Sequence, residues 1–155
     1  MSNLIKPHGS DSLNPLYVMD DAKRAELIKE AETLPSVVIT SGAASRAVML
    51  GGGYFNPLTG YMNKADALSA AEKMHTTSGL FFPVPILNCL KDVSAIKDAK
   101  RIALKDPNVE GNPVIAIQDI EAIEEFTDDD MTFMAEKVFR TLDTEHPGVG
   151  KFMSQ

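Results

Sequence analysis

Tryptophan is absent from this chain, and aromatic residues make up only 6% of it. A core must therefore rest on Leu, Ile, Val, Ala and eight methionines rather than on large rings. The single cysteine, Cys89, excludes an internal disulfide. It sits in the apolar run Phe81 to Leu90, where a thiol packs as a small, inert hydrophobe. No hydrophobic run reaches membrane-spanning length, and the opening M-S-N-L-I-K-P-H-G-S lacks the charged-then-apolar order of a secretory signal. Together these readings predict a cytoplasmic protein. Basic residues are also in deficit. Fifteen Lys and Arg against 22 Asp and Glu give a formal net charge of −7, which speaks against nucleic acid and anionic membrane as partners. Internal repeats and low-complexity tracts are absent.

With 155 residues and 44% hydrophobic content, the chain reads as a single compact domain. A chain of that size buries about 68–70% of its unfolded surface. Residues 1–15, with Pro7 and Gly9, read as an extended arm. Leu16 to Met19 reads as a short strand. Asp20 or Asp21 caps a helix to about Thr33, with Leu27, Ile28, Ala31 and Leu34 on its buried side. Val37 to Thr40 is a β-branched strand. Ser41 is the candidate cap of a short helix over 42–50, with Gly51 as its left-handed stop. Asn63 opens the next helix, Asp66 holds the acidic place of a capping box, and Ala67, Ala70, Ala71 and Met74 form its small-residue face.

Phe81 to Leu87 reads as an edge or bulged strand, because Pro83 and Pro85 remove two donors. Lys100 to Leu104 and Pro113 to Ile120 form the clearest β pair, joined by Asp106-Pro107-Asn108 and Gly111-Asn112. Thr127 opens a last helix with Asp130 three residues on. Met131, Met134, Ala135, Val138 and Leu142 are its apolar stripe. The element mix is α+β.

The densest signal is Leu50 to Met62, L-G-G-G-Y-F-N-P-L-T-G-Y-M. Consecutive glycines are a backbone device, and here they are followed at once by large apolar anchors. The stretch resembles the signature of ATP sulfurylases (sulfate adenylyltransferases), read through Gly53, Tyr54, Phe55, Asn56, Pro57, Leu58, Gly60, Tyr61 and Met62. Asn56 departs from it, because serine is the more frequent residue there. The resemblance extends in order through Pro7-His8-Gly9, Phe82-Pro83-Val84-Pro85-Ile86, Arg101-Ile102-Ala103-Leu104 with Asp106, and Gly111-Asn112-Pro113-Val114. It closes with 135–141, Asp143 and His146-Pro147-Gly148-Val149.

The resemblance implies the N-terminal PUA-like domain of such an enzyme, a partly closed β-barrel with packed helices. It also implies a catalytic domain of the same enzyme as partner, homo-oligomerisation, and Mg-ATP as the full enzyme's cofactor. The family's catalytic Gln-x-Arg-Asn-Pro-x-His-x-x-His and Gly-Arg-Asp-His segments are absent from the 155 residues. The implied reaction, ATP and sulfate giving adenosine 5′-phosphosulfate and pyrophosphate, is therefore expected to lie beyond this segment, and the chain alone is expected to be inactive.

The residues themselves agree with that expectation. His8, His75 and His146 are too scattered for a helical two-His motif. Gly51-Gly52-Gly53 lacks the lysine and flanking elements of a phosphate loop. Asp128-Asp129-Asp130 and Glu121, Glu124 and Glu125 read as solvated faces. Neither Cys89 nor any serine has an identifiable base. No catalytic, cofactor-binding or metal residue is therefore assigned. Arg46, Lys100 and Arg101 are the candidate contacts with a catalytic domain or neighbouring subunit. Tyr54, Phe55 and Tyr61 are expected to pack beneath the glycine loop. Two alternatives remain: an RNA-binding module, as in other PUA relatives, and a stand-alone small-ligand domain with those aromatics lining a pocket.

Overall fold

The computed structural model describes residues 5–155. Its element order is α1 (Asp21–Ala31), β1 (Ser36–Val38), α2 (Ser41–Gly51), α3 (Lys64–Lys73), β2 (Arg101–Lys105), β3 (Val114–Asp119), α4 (Asp128–Phe139) and α5 (Pro147–Met153). Two compact units share these elements. The first takes the residues up to Tyr61 together with Asp92–Glu121, and the second takes Met62–Lys91 with Ala122–Gln155.

The first unit is built on a mixed sheet in the order β1-β2-β3. β1 runs parallel to β2, with Ser36 opposite Ala103, and β2 runs antiparallel to β3, with Ala103 opposite Ile117. The central position of β2 explains its composition. Ile102, Ala103 and Leu104 are consecutive and all fully buried, as a strand covered on both faces requires. Helices α1 and α2 pack on β3. The sheet is an open row of three strands among the described residues, not a closed barrel. The α+β mixture stands.

In the second unit α3 packs on α4 and α4 on α5. Ala67, Ala70 and Ala71 are buried on α3, Met134 and Ala135 on α4, and Val149 on α5. Helix α4 has the full capping box: Thr127 accepts from the Asp130 N–H, and Asp130 accepts from the Thr127 N–H.

Several local expectations are corrected. Leu16–Met19 is not a strand: the Tyr17 N–H donates to the Gly51 carbonyl at 2.9 Å, and Arg24 donates to the Val18 carbonyl, so no ladder forms. Ile28 is exposed, and the buried side of α1 narrows to Ala31. Thr40, not Ser41, caps α2. Gly51 stays inside that helix, and the positive φ falls at Gly53 (77°). Asp66 does not close a capping box; it accepts instead from the N–H and Oγ1 of Thr77, at 2.8 and 2.6 Å.

Met74 is the left-handed cap of α3 and half exposed, because the helix has already ended. Pro83 and Pro85 prevent a strand over 81–87, where one bridge, His75 to Phe81, is all that forms. Leu142 is exposed because Arg140 (φ 59°) ends α4 before it. Among the described residues no helix is long and apolar enough to cross a membrane.

The expected arm, 1–15, lies partly outside the described residues. From residue 5 onward it carries no helix or strand, yet its backbone is anchored to the Asn56 side chain at His8 and Asn14.

Candidate functional site

The glycine-rich segment forms a fixed turn bonded to the preceding arm. Helix α2 ends in three successive backbone bonds. Gly52 donates to the Val48 carbonyl at 3.0 Å, Gly53 to Leu50 at 3.0 Å and Tyr54 to Met49 at 2.9 Å. A Cβ on Gly53 would stand 3.2 Å from Leu13 Cδ1 and 3.5 Å from Pro15 Cα. Gly53 thus serves a positive φ and a close approach of the arm at once.

Asn56 fixes that arm. Its side chain is buried. Nδ2 donates to the His8 carbonyl at 2.8 Å and to Ser10 Oγ at 2.7 Å, and Oδ1 accepts from the Asn14 N–H at 3.0 Å. An amide offers two donors on one nitrogen, whereas a serine hydroxyl has a single proton. The departure from serine at this position therefore adds bonds. This role was not legible from the sequence, because its partners lie more than forty positions away. The signal that was present is a small polar residue amid buried apolar anchors.

The aromatics do not behave alike. Tyr61 is mostly buried, and its hydroxyl donates to the Ala43 carbonyl at 2.9 Å. Burial pushes its pKa up to about 12, against a smaller opposing pull from Arg46. Phe55 is half-buried. Tyr54 is 78% exposed, and its ring lies over Gly52, where a Cβ would meet it at 3.0 Å. The expectation that Tyr54 packs beneath the loop is corrected: the turn that starts at Gly53 carries it outward.

The histidines have local roles. The His8 carbonyl belongs to the Asn56 cluster. His75 Nδ1 lies 2.7 Å from the Lys73 carbonyl, with its ring edge-on to Phe81 at 5.5 Å. His146 caps α5, its Nδ1 accepting from the N–H groups of Gly148 and Val149.

The acidic candidates divide. Asp128 and Asp129 lie in the first turn of α4. Glu121, Glu124 and Glu125 are exposed, as expected of a solvated face, and Glu124 Oε2 also accepts from the Lys64 N–H at 2.7 Å, closing the start of α3. Asp130 is not merely solvated: it receives the Lys64 Nζ at 2.5 Å and is pushed down to about 2, chiefly by that bond and the Thr127 N–H. Among the described residues no three His, Cys, Asp or Glu side chains gather as a metal site would. Arg101 pairs with Glu30 at 3.1 Å and Asp119 at 3.5 Å, Lys100 is exposed, and Cys89 is half-buried.

A family profile described as a PUA-like domain matches residues 5–155. The chain belongs to that family. It is also similar to sulfate adenylyltransferases. It is 64% identical to the one from Alcanivorax borkumensis, over 99% of this chain and 38% of that protein. It is 55% identical to the one from Allochromatium vinosum, over 98% and 38% respectively. Among solved structures, the hexameric APS kinase from Thiobacillus denitrificans matches with a TM-score of 0.63 and 30% identity, over 79% of this chain and 24% of that one. The chain therefore spans less than two-fifths of the curated relatives' length.

Proposed function

We infer that the chain is the N-terminal, PUA-like portion of a sulfate adenylyltransferase and serves it as a structural and interface domain. The observation that carries this reading is the 64% identity across nearly the whole chain to a relative of which it covers only 38%. In the reaction of such an enzyme a sulfate oxygen attacks the α-phosphorus of ATP. A mixed phosphoric–sulfuric anhydride bond (P–O–S) forms between sulfate and adenylate, the α–β phosphoanhydride bond of ATP breaks, and pyrophosphate leaves. On this reading the groups that hold Mg-ATP belong to the portion of such an enzyme that the chain does not match, more than three-fifths of the similar relative. Subunit association of the whole enzyme is part of the same proposal, supported by the hexameric assembly of the similar APS kinase.

The test is pyrophosphate release from ATP and sulfate. The chain alone is expected to match a heat-denatured control. A chimera in which it replaces the matching segment of the Alcanivorax borkumensis protein is expected to be active. Turnover by the isolated chain, or an inactive but folded chimera, overturns the reading.

A further inference from the structure

Around the end of α2 the first unit gathers large apolar side chains on its surface. Val48 is 68% exposed, Tyr54 78%, Tyr17 59% and Leu13 53%. Leu13 and Tyr54 reach the glycines with their side chains, and Tyr17 does so through its main chain, its ring lying 5.4 Å from the Arg24 guanidinium. The Tyr54 ring lies on Gly52, one helical turn beyond Val48, the Tyr17 N–H is bonded to the Gly51 carbonyl, and Leu13 touches the position a Gly53 Cβ would take. Scattered exposed hydrophobes are ordinary, but a group gathered on one feature marks an interaction surface. This one is also prearranged: its backbone is held by the bonds that close α2 and by the Asn56 latch under residues 8–14. A partner therefore meets a fixed shape and loses little by ordering it, and tyrosines of this kind dominate binding energy at interfaces.

We propose that Leu13, Tyr17, Val48 and Tyr54 form the docking face for the catalytic portion of the longer polypeptide. The proposal rests on the functional reading above. The choice of occupant follows from length and charge. More than three-fifths of the 64%-identical relative lies outside the segment this chain matches, so a covalently tethered partner is present at high effective concentration. A net charge of −7 disfavours polyanions, whether nucleic acid or acidic lipid.

The test places a photo-cross-linker in the active chimera, as Tyr54→p-benzoylphenylalanine, with Val48→p-benzoylphenylalanine as a second variant should the first disturb the turn. Ile28→p-benzoylphenylalanine, on the exposed side of α1, is the control. After irradiation and peptide mapping, adducts from positions 54 and 48 are expected on residues beyond this segment, at least ten times more abundant than from position 28. Adducts no more abundant than the control overturn the face. Adducts to a second copy of these same residues overturn it too and make the face a self-association surface. The two readings fail separately. An active chimera without adducts removes only the docking face. An adduct in a chimera without turnover keeps the face and removes the activity.

Discussion

Lys64 and Asp130 meet at 2.5 Å, the lysine from the first turn of α3 and the aspartate from the first turn of α4. The same carboxylate oxygen accepts from the N–H and Oγ1 of Thr127. Lys64 also donates through Nζ to the Glu125 carbonyl at 2.9 Å, and its main-chain N–H donates to Glu124. One ion pair thus joins two helix starts in the second unit.

Its pH dependence has a defined sign. The Asp130 carboxyl is held at about 2 in the folded protein, below its ordinary 3.8. Its contribution to stability is complete above pH 4 and disappears as pH falls from about 4 through 2. Asp130→Asn is expected to flatten the acid limb of the stability curve in that window while lowering the urea midpoint at neutral pH. A wild-type slope in the variant contradicts this.

Tyr61 gives the opposite limb. Burial raises its hydroxyl to about 12 from 10.0. The folded state therefore retains a proton that the unfolded state releases, and the contribution is complete below pH 10 and lost as pH rises through 12. Ultraviolet titration is expected to show a tyrosinate transition near pH 12 that Tyr61→Phe abolishes.

The Asn56 latch is expected to tolerate little change. Asn56→Ala removes two donors and an acceptor from a buried position, at a cost of about 1–3 kcal/mol. Hydrogen exchange at the Asn14 amide, which donates to Asn56, is expected to accelerate beyond the global change. Asn56→Ser, with one donor, is expected to fall between.

Gly150 reverses a familiar rule. Gly→Ala within a helix ordinarily gains about 1 kcal/mol. In α5 the added Cβ would stand 2.6 Å from the Thr144 carbonyl oxygen, and backbone does not give way cheaply. Gly150→Ala is therefore expected to destabilise by about 1–3 kcal/mol, read as a lowered thermal midpoint. A raised midpoint refutes the steric account.

The elements legible in the sequence are those whose information is local. Thr127 with Asp130, the Met134-Ala135 stripe, the turn between β2 and β3, and the alanine face of α3 all specify themselves within a few residues. Helix α5 did not. The space beside Gly148 and Gly150 is filled by Phe139 and Thr144, which only folding brings close. Asn56 was visible as a departure from a pattern but not as a latch, because the segment it holds lies far back in the chain. Tyr54 misled for a related reason: its apolar character matches both a core anchor and an outward platform, and the turn beginning at Gly53 decides between them.

The parallel pairing of β1 with β2 sets a constraint on how the polypeptide acquires its shape. Ser36 leaves the ribosome long before Ala103, its opposite number, and the whole of Met62–Lys91, which belongs to the other unit, is made in between. β2 and β3, by contrast, need only a short connection to meet. Their hairpin is the natural early event, and β1 waits to dock on it, at the entropic cost of closing a long loop. A nascent chain halted anywhere before β2 presents Val37, Val38 and Ile39 with no strand to receive them, which is the stage at which a chaperone would matter most.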